Sequence, residues 1–139
     1  MENVEKKCVI ILSEDQPFGL MINTASVLSF TLGNKLGTLA IGQDVYDASQ
    51  SLHLGIITIP IPVLKTTEKT LREIRIKALE AENMIVSDFT DVAQSCKTYD
   101  EFIQKMKDID ERQLRYLGVA LYGEKKIINK LTGNLSLIR

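Results

Sequence analysis

The stretch that decides the fold is residues 7–33, KCVIILSEDQPFGLMINTASVLSFTLG. Residues 7–12 are a short run of β-branched and aliphatic side chains, which is typical of a central strand covered on both faces. After the turn around Pro17, apolar residues recur at steps of three and four as far as Gly33, which predicts an amphipathic helix. In α/β proteins, a strand that passes through a short turn into a helix is a common place for small ligands.

Strand and helix patterns alternate along the rest of the chain. The predicted strands are residues 37–42, 55–59, 61–66, 84–89 and 116–123, and helices follow residues 66, 97 and 123. Residues 43–54, QDVYDASQSLHL, are mostly polar and are predicted to form a loop. No linker or repeat divides the chain, so we predict one domain over residues 1–139. Its fold class is α/β, with three layers (α/β/α) and a mixed, mostly parallel sheet.

Composition excludes several classes of function. The 139 residues include 17 Lys and Arg against 18 Asp and Glu, for a net charge of −1, so we expect no nucleic-acid partner. Cys8 and Cys96 are far apart and have no second Cys or His at metal-ligand spacing, so no zinc site is predicted and both are read as reduced thiols. The sequence also has no cofactor motif, and we expect no cofactor.

The sequence gives no sign of a membrane protein. Residues 1–7, MENVEKK, lack the pattern of a signal peptide, and no apolar run approaches the roughly 18 residues that a membrane span needs. We therefore expect a cytoplasmic protein without a membrane partner.

Asn23 lies on the predicted helix, and its amide side chain points away from the apolar stripe. It is either a buried amide that ties the neighbouring loops together, a ligand contact, or an exposed helix residue. Gly19, just before it, has at most a backbone role, through a positive φ or through close approach of a ligand to the helix amides.

The polar loop contains Asp44, Asp47, Ser49, Ser51 and His53, which include the residue types of nucleophilic catalysis. Neither Ser lies in a Gly-x-Ser-x-Gly elbow, and Asp and Ser commonly bind their own backbone in turns. His53 is a candidate for proton transfer or ligand binding, with a surface position as the alternative. The two Asp residues would need further oxygen ligands to hold a cation, so no metal is predicted.

Lys65 and Asp88 each lie near the end of a predicted strand. A charged residue there is commonly a solvated terminus or half of a structural ion pair. If their strands are adjacent, the two side chains would meet Asn23 in one cleft, and this cleft is the candidate site.

Several segments resemble the type II peptidyl-tRNA hydrolases. Residues 119–138, VALYGEKKIINKLTGNLSLI, are similar to the end of that family, while PVLKT and MIVSDF are similar to its middle strands, where Lys65 and Asp88 are the corresponding residues. The family carries a Gly-Lys pair before its first helix and a His along it. This chain has Gly19-Leu20 and no such His, so peptidyl-tRNA hydrolysis is not expected.

The segments GLMINTASVL, IGQDVYDASQ and IPIPVL together resemble domain of unknown function 2000, DUF2000, over nearly the whole chain. That resemblance implies a fold like that of the type II hydrolases and no known activity.

Two main functions remain open. The first is an enzyme in which Asn23 orients a substrate, Asp47 or His53 moves a proton, and Lys65 stabilises negative charge. The second, which we favour, is a module that binds a small molecule or a protein partner, or that forms a homo-oligomer; its ligand-binding candidates are Gly19, Asn23, Asp44 and Asp88. Residual peptidyl-tRNA hydrolysis is a third hypothesis. Convergence of the four residues named for the enzyme in one pocket would favour catalysis.

Overall fold

Strands and helices alternate along the computed structural model, which describes residues 4–139. The strands are β1 (Lys6–Ser13), β2 (Val45–Tyr46), β3 (Leu52–His53), β4 (Val63–Thr66), β5 (Ile85–Thr90), β6 (Tyr116–Glu124) and β7 (Ser136–Leu137). The helices are α1 (Phe18–Leu36), α2 (Glu68–Glu80), α3 (Asp91–Ser95), α4 (Tyr99–Lys107) and α5 (Lys125–Thr132), and a 3₁₀ turn (Glu111–Gln113) precedes β6. Residues 1–3, which belong to the segment predicted to lack a signal peptide, lie outside the described residues.

β1 lies at the centre of the sheet, as its apolar run predicts, and the strand order is β5-β6-β1-β4-β7. Among the described strands, β1 and β4 run parallel, whereas the pairs β1–β6, β5–β6 and β4–β7 are antiparallel. A mixed sheet is confirmed, but the prediction that it is mostly parallel is wrong. A continuous apolar run reports burial on both faces, which an antiparallel strand between two helical layers also has, so the run says nothing about the direction of the neighbouring strand.

Helices cover both faces of the sheet. On β1, Cys8, Ile10 and Leu12 point into the core beneath α1, whereas Val9 and Ile11 point into the core beneath α2 and α5. This alternation is the period of two that a strand imposes on its side chains. Within residues 4–139, no helix combines the length and the apolar character needed to cross a lipid bilayer.

Residues 40–58 form a two-stranded hairpin, which we call the arm. In the ladder between β2 and β3, Val45 lies opposite His53. Nearer the body of the protein, an isolated bridge joins Ile41 to Ile57 in the same antiparallel sense. The chain leaves α1 toward the arm at Gly37, whose φ of 56° lies in the left-handed region that glycine adopts most easily.

The arm corrects two sequence predictions. The strands predicted at residues 37–42 and 55–59 are reduced to a single bridge, and the loop predicted at residues 43–54 contains a short ladder. The physical reason is that both faces of this hairpin are exposed. Because neither face has to be apolar, the sequence of the hairpin lacks the alternation of apolar and polar residues by which strands are recognised.

Helix α1 approaches the sheet closely at Gly118 of β6. A Cβ atom at this position would lie 2.7 Å from Cγ2 of Thr24, 2.8 Å from Cδ1 of Leu28 and 2.9 Å from Cδ2 of Leu12. Such distances are shorter than van der Waals contact, and a packed core has little room to relax. The helix therefore reaches its observed depth because β6 has no side chain at this point.

We expect Gly118→Ala to destabilise the protein by about 1–3 kcal/mol, because the added methyl group overpacks the core beneath α1. Gly33→Ala is the matched control, since a Cβ at Gly33 meets nothing within 4 Å. In the helix it should stabilise by about 0.5–1 kcal/mol through the lower flexibility of Ala. Urea denaturation followed by circular dichroism measures both values, and equal stability of Gly118→Ala and the wild type would contradict the packing argument.

Candidate functional site

The turn between β1 and α1 is held by a buried amide, but that amide is Gln16. Its Nε2 donates to the carbonyl oxygens of Ser13, at 2.9 Å, and Leu117, at 2.7 Å. Its Oε1 accepts a hydrogen bond of 3.2 Å from Oγ1 of Thr24. One side chain thus joins the end of β1, the beginning of β6 and the second turn of α1.

Asn23 is exposed on α1, so its observed position is that of an exposed helix residue. The alternative in which Asn23 is the buried amide of the turn is wrong, because its neighbour Thr24 occupies the side of the helix that faces the sheet. Gly19 lies exposed in the first turn of α1, and its φ is not positive. No sequence pattern marks Gln16, which stands in the polar turn EDQP, as buried.

The cleft predicted from adjacent strands is not formed. Lys65 lies on β4 and Asp88 on β5, and β1 and β6 run between these two strands. Three strand spacings of roughly 4.8 Å put the two strands about 14 Å apart. The sequence pattern gives the strands but not their spatial order, and β6 inserts next to β5 late in the chain. The roles assigned to Lys65 and Asp88 stay predictions.

Asp88 belongs to a cluster of charged side chains around a buried ring. Arg75 Nε donates to Asp88 Oδ2 at 3.0 Å, and Arg72 donates to Glu111 Oε1 at 2.5 Å. Both guanidinium carbons lie 5.0 Å from the ring centre of Tyr116, whose hydroxyl donates to Glu111 at 2.9 Å. Burial, followed by this hydrogen bond, raises the pKa of Tyr116 to about 12. The phenol is therefore neutral at physiological pH, and the cluster balances its own charges.

A cavity of about 460 Å³ opens at the outer edge of β5, and we call it the β5 cavity. Helix α1 contributes one wall, the strand forms the floor, and the segment through α3 into α4 forms the opposite wall. The lining residues are Val27, Thr31, 87–89, Ala93, 96–99 and Phe102. Of the residues predicted to form a site, Asp88 lines this cavity.

The two cysteines differ sharply in accessibility. Cys8 is buried beneath α1, and burial raises the pKa of its thiol to about 11. Cys96 is half-buried on the wall of the β5 cavity. Both are free thiols. Because a thiolate is the reactive form, the Cys8 thiol is inert under conditions in which an accessible thiol reacts.

The arm brings together Asp47 and His53. Asp47 Oδ2 lies 2.8 Å from His53 Nε2, while Asp47 Oδ1 accepts from the backbone amides of Ser49, at 2.8 Å, and Ser51, at 3.1 Å. These hydrogen bonds, that of His53 first, lower the pKa of Asp47. The arrangement holds the turn of the hairpin, as Asp side chains commonly do.

Asp44 serves the arm in the same way, because its Oδ1 accepts a hydrogen bond of 2.8 Å from the backbone amide of Gly55. Among the hydrogen bonds and ion pairs of the described residues, the Asp47–His53 pair is the only one that joins two of the four residues named for an enzyme. Asn23 and Lys65 are exposed on α1 and β4. Within the described part of the chain, no group of three or more His, Cys, Asp and Glu side chains could hold a metal ion.

The sequence profile of the family described as Protein of unknown function (DUF2000) matches residues 6–139. The chain belongs to the DUF2000 family. The predicted family is thereby confirmed. No curated protein is significantly similar to this DUF2000 chain.

A solved structure of a protein of unknown function from Agrobacterium tumefaciens is similar to this DUF2000 protein. The TM-score is 0.86 with 21% sequence identity, and the match covers 96% of this chain and 98% of that chain. At this identity the likeness shows a shared fold alone.

We expect Gln16→Met to destabilise this DUF2000 protein by about 1–3 kcal/mol, because it leaves the buried Thr24 hydroxyl and two carbonyl groups without their partner. Asn23→Ala is the matched control on the exposed side of α1 and should change stability by less than about 0.5 kcal/mol. Thermal and urea unfolding measure both. A larger loss for Asn23→Ala than for Gln16→Met would contradict the assignment of the turn to Gln16.

We expect the turn of the arm to loosen in acid. The pKa of Asp47 is lowered in the folded state, so its contribution is complete above the unfolded carboxyl value of about 3.9 and is lost as the pH falls through the lower folded value. The amide resonances of Ser49 and Ser51 should shift together in this range. In Asp47→Asn this titration should vanish, whereas Ser49→Ala, which keeps the backbone amide, should retain it. An unchanged titration in Asp47→Asn would exclude Asp47 as its cause.

Proposed function

We propose that this DUF2000 protein binds a small molecule in the β5 cavity. The observation that carries the proposal is the cavity itself: its volume of about 460 Å³ falls within the range of roughly 300–1,000 Å³ typical of ligand sites. It lies at the outer edge of β5, where α1, β5 and the segment leading into α4 meet. Sites of this kind commonly form where several elements converge on a concave surface.

The lining residues indicate the class of ligand. Phe89, Phe102 and Tyr99 supply aromatic surface, and the rings of Tyr99 and Phe102 pack edge to face with their centres 5.5 Å apart. Ser87 and Thr31 add hydroxyl groups that can donate or accept hydrogen bonds. An apolar wall with a few polar groups fits a single-ring aromatic compound that carries one or two hydrogen-bonding groups.

The charges around the β5 cavity favour a ligand without a strong charge. Asp88 already receives a hydrogen bond of 3.0 Å from Arg75, so its carboxylate is compensated by the protein. A cationic ligand would have to compete with this ion pair. Lys97 at the rim is the remaining cation of the lining, and it is exposed to solvent, where its attraction for an anion is weak.

An enzymatic function has one supporting observation, the pair formed by Asp47 and His53. Both side chains are exposed, with 43% and 57% of their surfaces accessible, and the carboxylate also binds two backbone amides of the turn. A catalytic pair gains its strength in a site that excludes water. We therefore propose the binding function ahead of catalysis.

We propose that this protein shares the fold of the type II peptidyl-tRNA hydrolases but not their reaction. The basic residues Arg72 and Arg75 engage Glu111 and Asp88, and Lys125 lies 3.0 Å from Glu5, so several basic groups of the described chain are already paired. Paired cations offer little to phosphate groups, so we propose no nucleic-acid partner.

We also propose a cytoplasmic location, because the two free thiols are in keeping with a reducing compartment.

Cys96 provides a direct readout of occupancy in the β5 cavity. We expect N-ethylmaleimide to label the native protein once, at Cys96, because Cys8 is buried and its thiol pKa is raised to about 11. The probes are the uncharged single-ring compounds phenol, benzyl alcohol and benzamide at increasing concentration. At least one should slow Cys96 labelling and raise the unfolding midpoint, by the equivalent of about 2.7 kcal/mol at a hundredfold excess over Kd.

Two variants make this test specific. Thr31→Trp places a large ring in the β5 cavity from an exposed position on α1 and should abolish protection of Cys96 by the probe. Asn34→Trp, also exposed on α1 but outside that lining, should leave protection unchanged. Absence of protection by every probe, or protection that Thr31→Trp does not weaken, would overturn the proposed site.

A further inference from the structure

The arm exposes apolar side chains to solvent. Every residue from 43 to 54 is exposed. Tyr46 lies opposite Leu52 in the ladder, so these two side chains share one face of the hairpin. The large apolar side chains and their exposed fractions are Val45 54%, Tyr46 65%, Leu52 50%, Leu54 73% and Ile56 78%.

A hairpin of this kind lacks the burial that normally stabilises it. A two-stranded hairpin alone is marginally stable in water, and it needs a third strand or another surface against an apolar face. Contiguous apolar patches of more than a few hundred Å² are also rare on monomeric proteins and commonly mark interaction sites. The arm therefore has the properties of one half of an interface.

The arm is nearly free of charge. Residues 36–64 contain no Lys or Arg, and their acidic residues are Asp44 and Asp47. Both carboxylates are used within the arm, by Gly55 and by the hydrogen bonds around His53. Because the cores of stable interfaces are depleted in charged residues, this composition suits burial. It also offers no charge pattern that would select a partner of opposite sign.

A complementary apolar hollow lies at the base of the arm. This hollow, which we call the root cavity, has a volume of about 110 Å³ and lies between the end of α1 and the first residues of the arm. Its lining includes Leu32, Leu36, Ala40, Ile41 and Ile57. An apolar cavity of about 150 Å³ accommodates benzene, so a slightly smaller one suits a single aliphatic side chain.

We propose that the arm is the interface of a homodimer in which each arm packs across the root cavity of the second copy. A projecting apolar hairpin and an apolar hollow on the same molecule are the two halves of a self-complementary contact. A two-fold axis closes such a contact without leaving either half exposed. The root cavity has no charged lining residue, and the two carboxylates of the arm are hydrogen-bonded within the arm, so two identical copies meet with little repulsion.

The available area meets the requirement of a stable dimer. The arm and its surroundings expose eight large apolar side chains, namely Phe30, Leu39, Ile41, Val45, Tyr46, Leu52, Leu54 and Ile56. At roughly 100 Å² each, about half the area that a large aromatic side chain can bury, they supply about 800 Å² per copy. This equals the contribution of one partner to an interface of standard size, about 1,600 Å² in total.

The mass of the full chain in solution, measured by sedimentation and by light scattering after gel filtration between 1 and 100 µM, tests the proposal. The wild type should be a dimer at the upper concentrations. Leu54→Glu should weaken dimerisation at least tenfold, because it buries a charge at the interface, about 1.4 kcal/mol or more. Leu79→Glu, which replaces an apolar residue of α2 that is 55% exposed, is the control and should leave the dimer intact.

Gly33→Met tests the seating of the arm. Gly33 lines the root cavity, and a Cβ there meets nothing within 4 Å, so the Met side chain leaves the backbone without a clash and is expected to occupy the hollow. It should weaken the dimer as Leu54→Glu does, with an unchanged or higher unfolding midpoint for each monomer. A wild type that stays monomeric at 100 µM, or a dimer that Leu54→Glu leaves unaffected, would overturn the proposal. A dimer sensitive to Leu54→Glu but not to Gly33→Met would overturn the seating in the root cavity.

Discussion

The depth at which α1 packs against β6 is the constraint on which the other features depend. Gly118 permits this depth, and Gln16 holds the turn that delivers the helix to the sheet. Once α1 is fixed there, Val27 and Thr31 form one wall of the β5 cavity. The end of the same helix forms the root cavity beneath the arm. Both candidate surfaces therefore take their shape from one helix and its contact with the central strands.

The fold could be predicted from the sequence as far as the identity of its main elements. The apolar run of β1 and the helical stripe of α1 are local patterns with strong periods, and both elements form close to their predicted bounds. Strand direction is different, because it depends on which strands meet in space. The parallel pair β1–β4 is flanked by antiparallel neighbours, and no local pattern encodes that arrangement. The arm escaped prediction because its strands bury neither face.

The candidate site was harder to predict for a related reason. Asn23 is the amide within α1, but Gln16, in the turn before the helix, is the residue whose amide nitrogen and oxygen both find partners in the turn. Its burial depends on Thr24 and on the carbonyl of Leu117, which lies far along the chain. The β5 cavity likewise draws its walls from three separate segments. The pairing of Asp47 with His53 is the part that lies within reach of local reasoning, since the two residues are close in sequence.

The cluster around Tyr116 sets the alignment of α2 along the sheet. The ion pairs of this cluster are partly buried, and such pairs add little net stability because desolvation offsets their attraction. They are selective, however: Arg72 and Arg75 both lie over the ring while each meets its own carboxylate, on Glu111 and Asp88. If α2 slid by one turn, about 5.4 Å, both carboxylates would lose their guanidinium partners, although the apolar stripe of the helix would still face the core. The cluster thus disfavours shifted alignments of α2 that hydrophobic packing alone would tolerate.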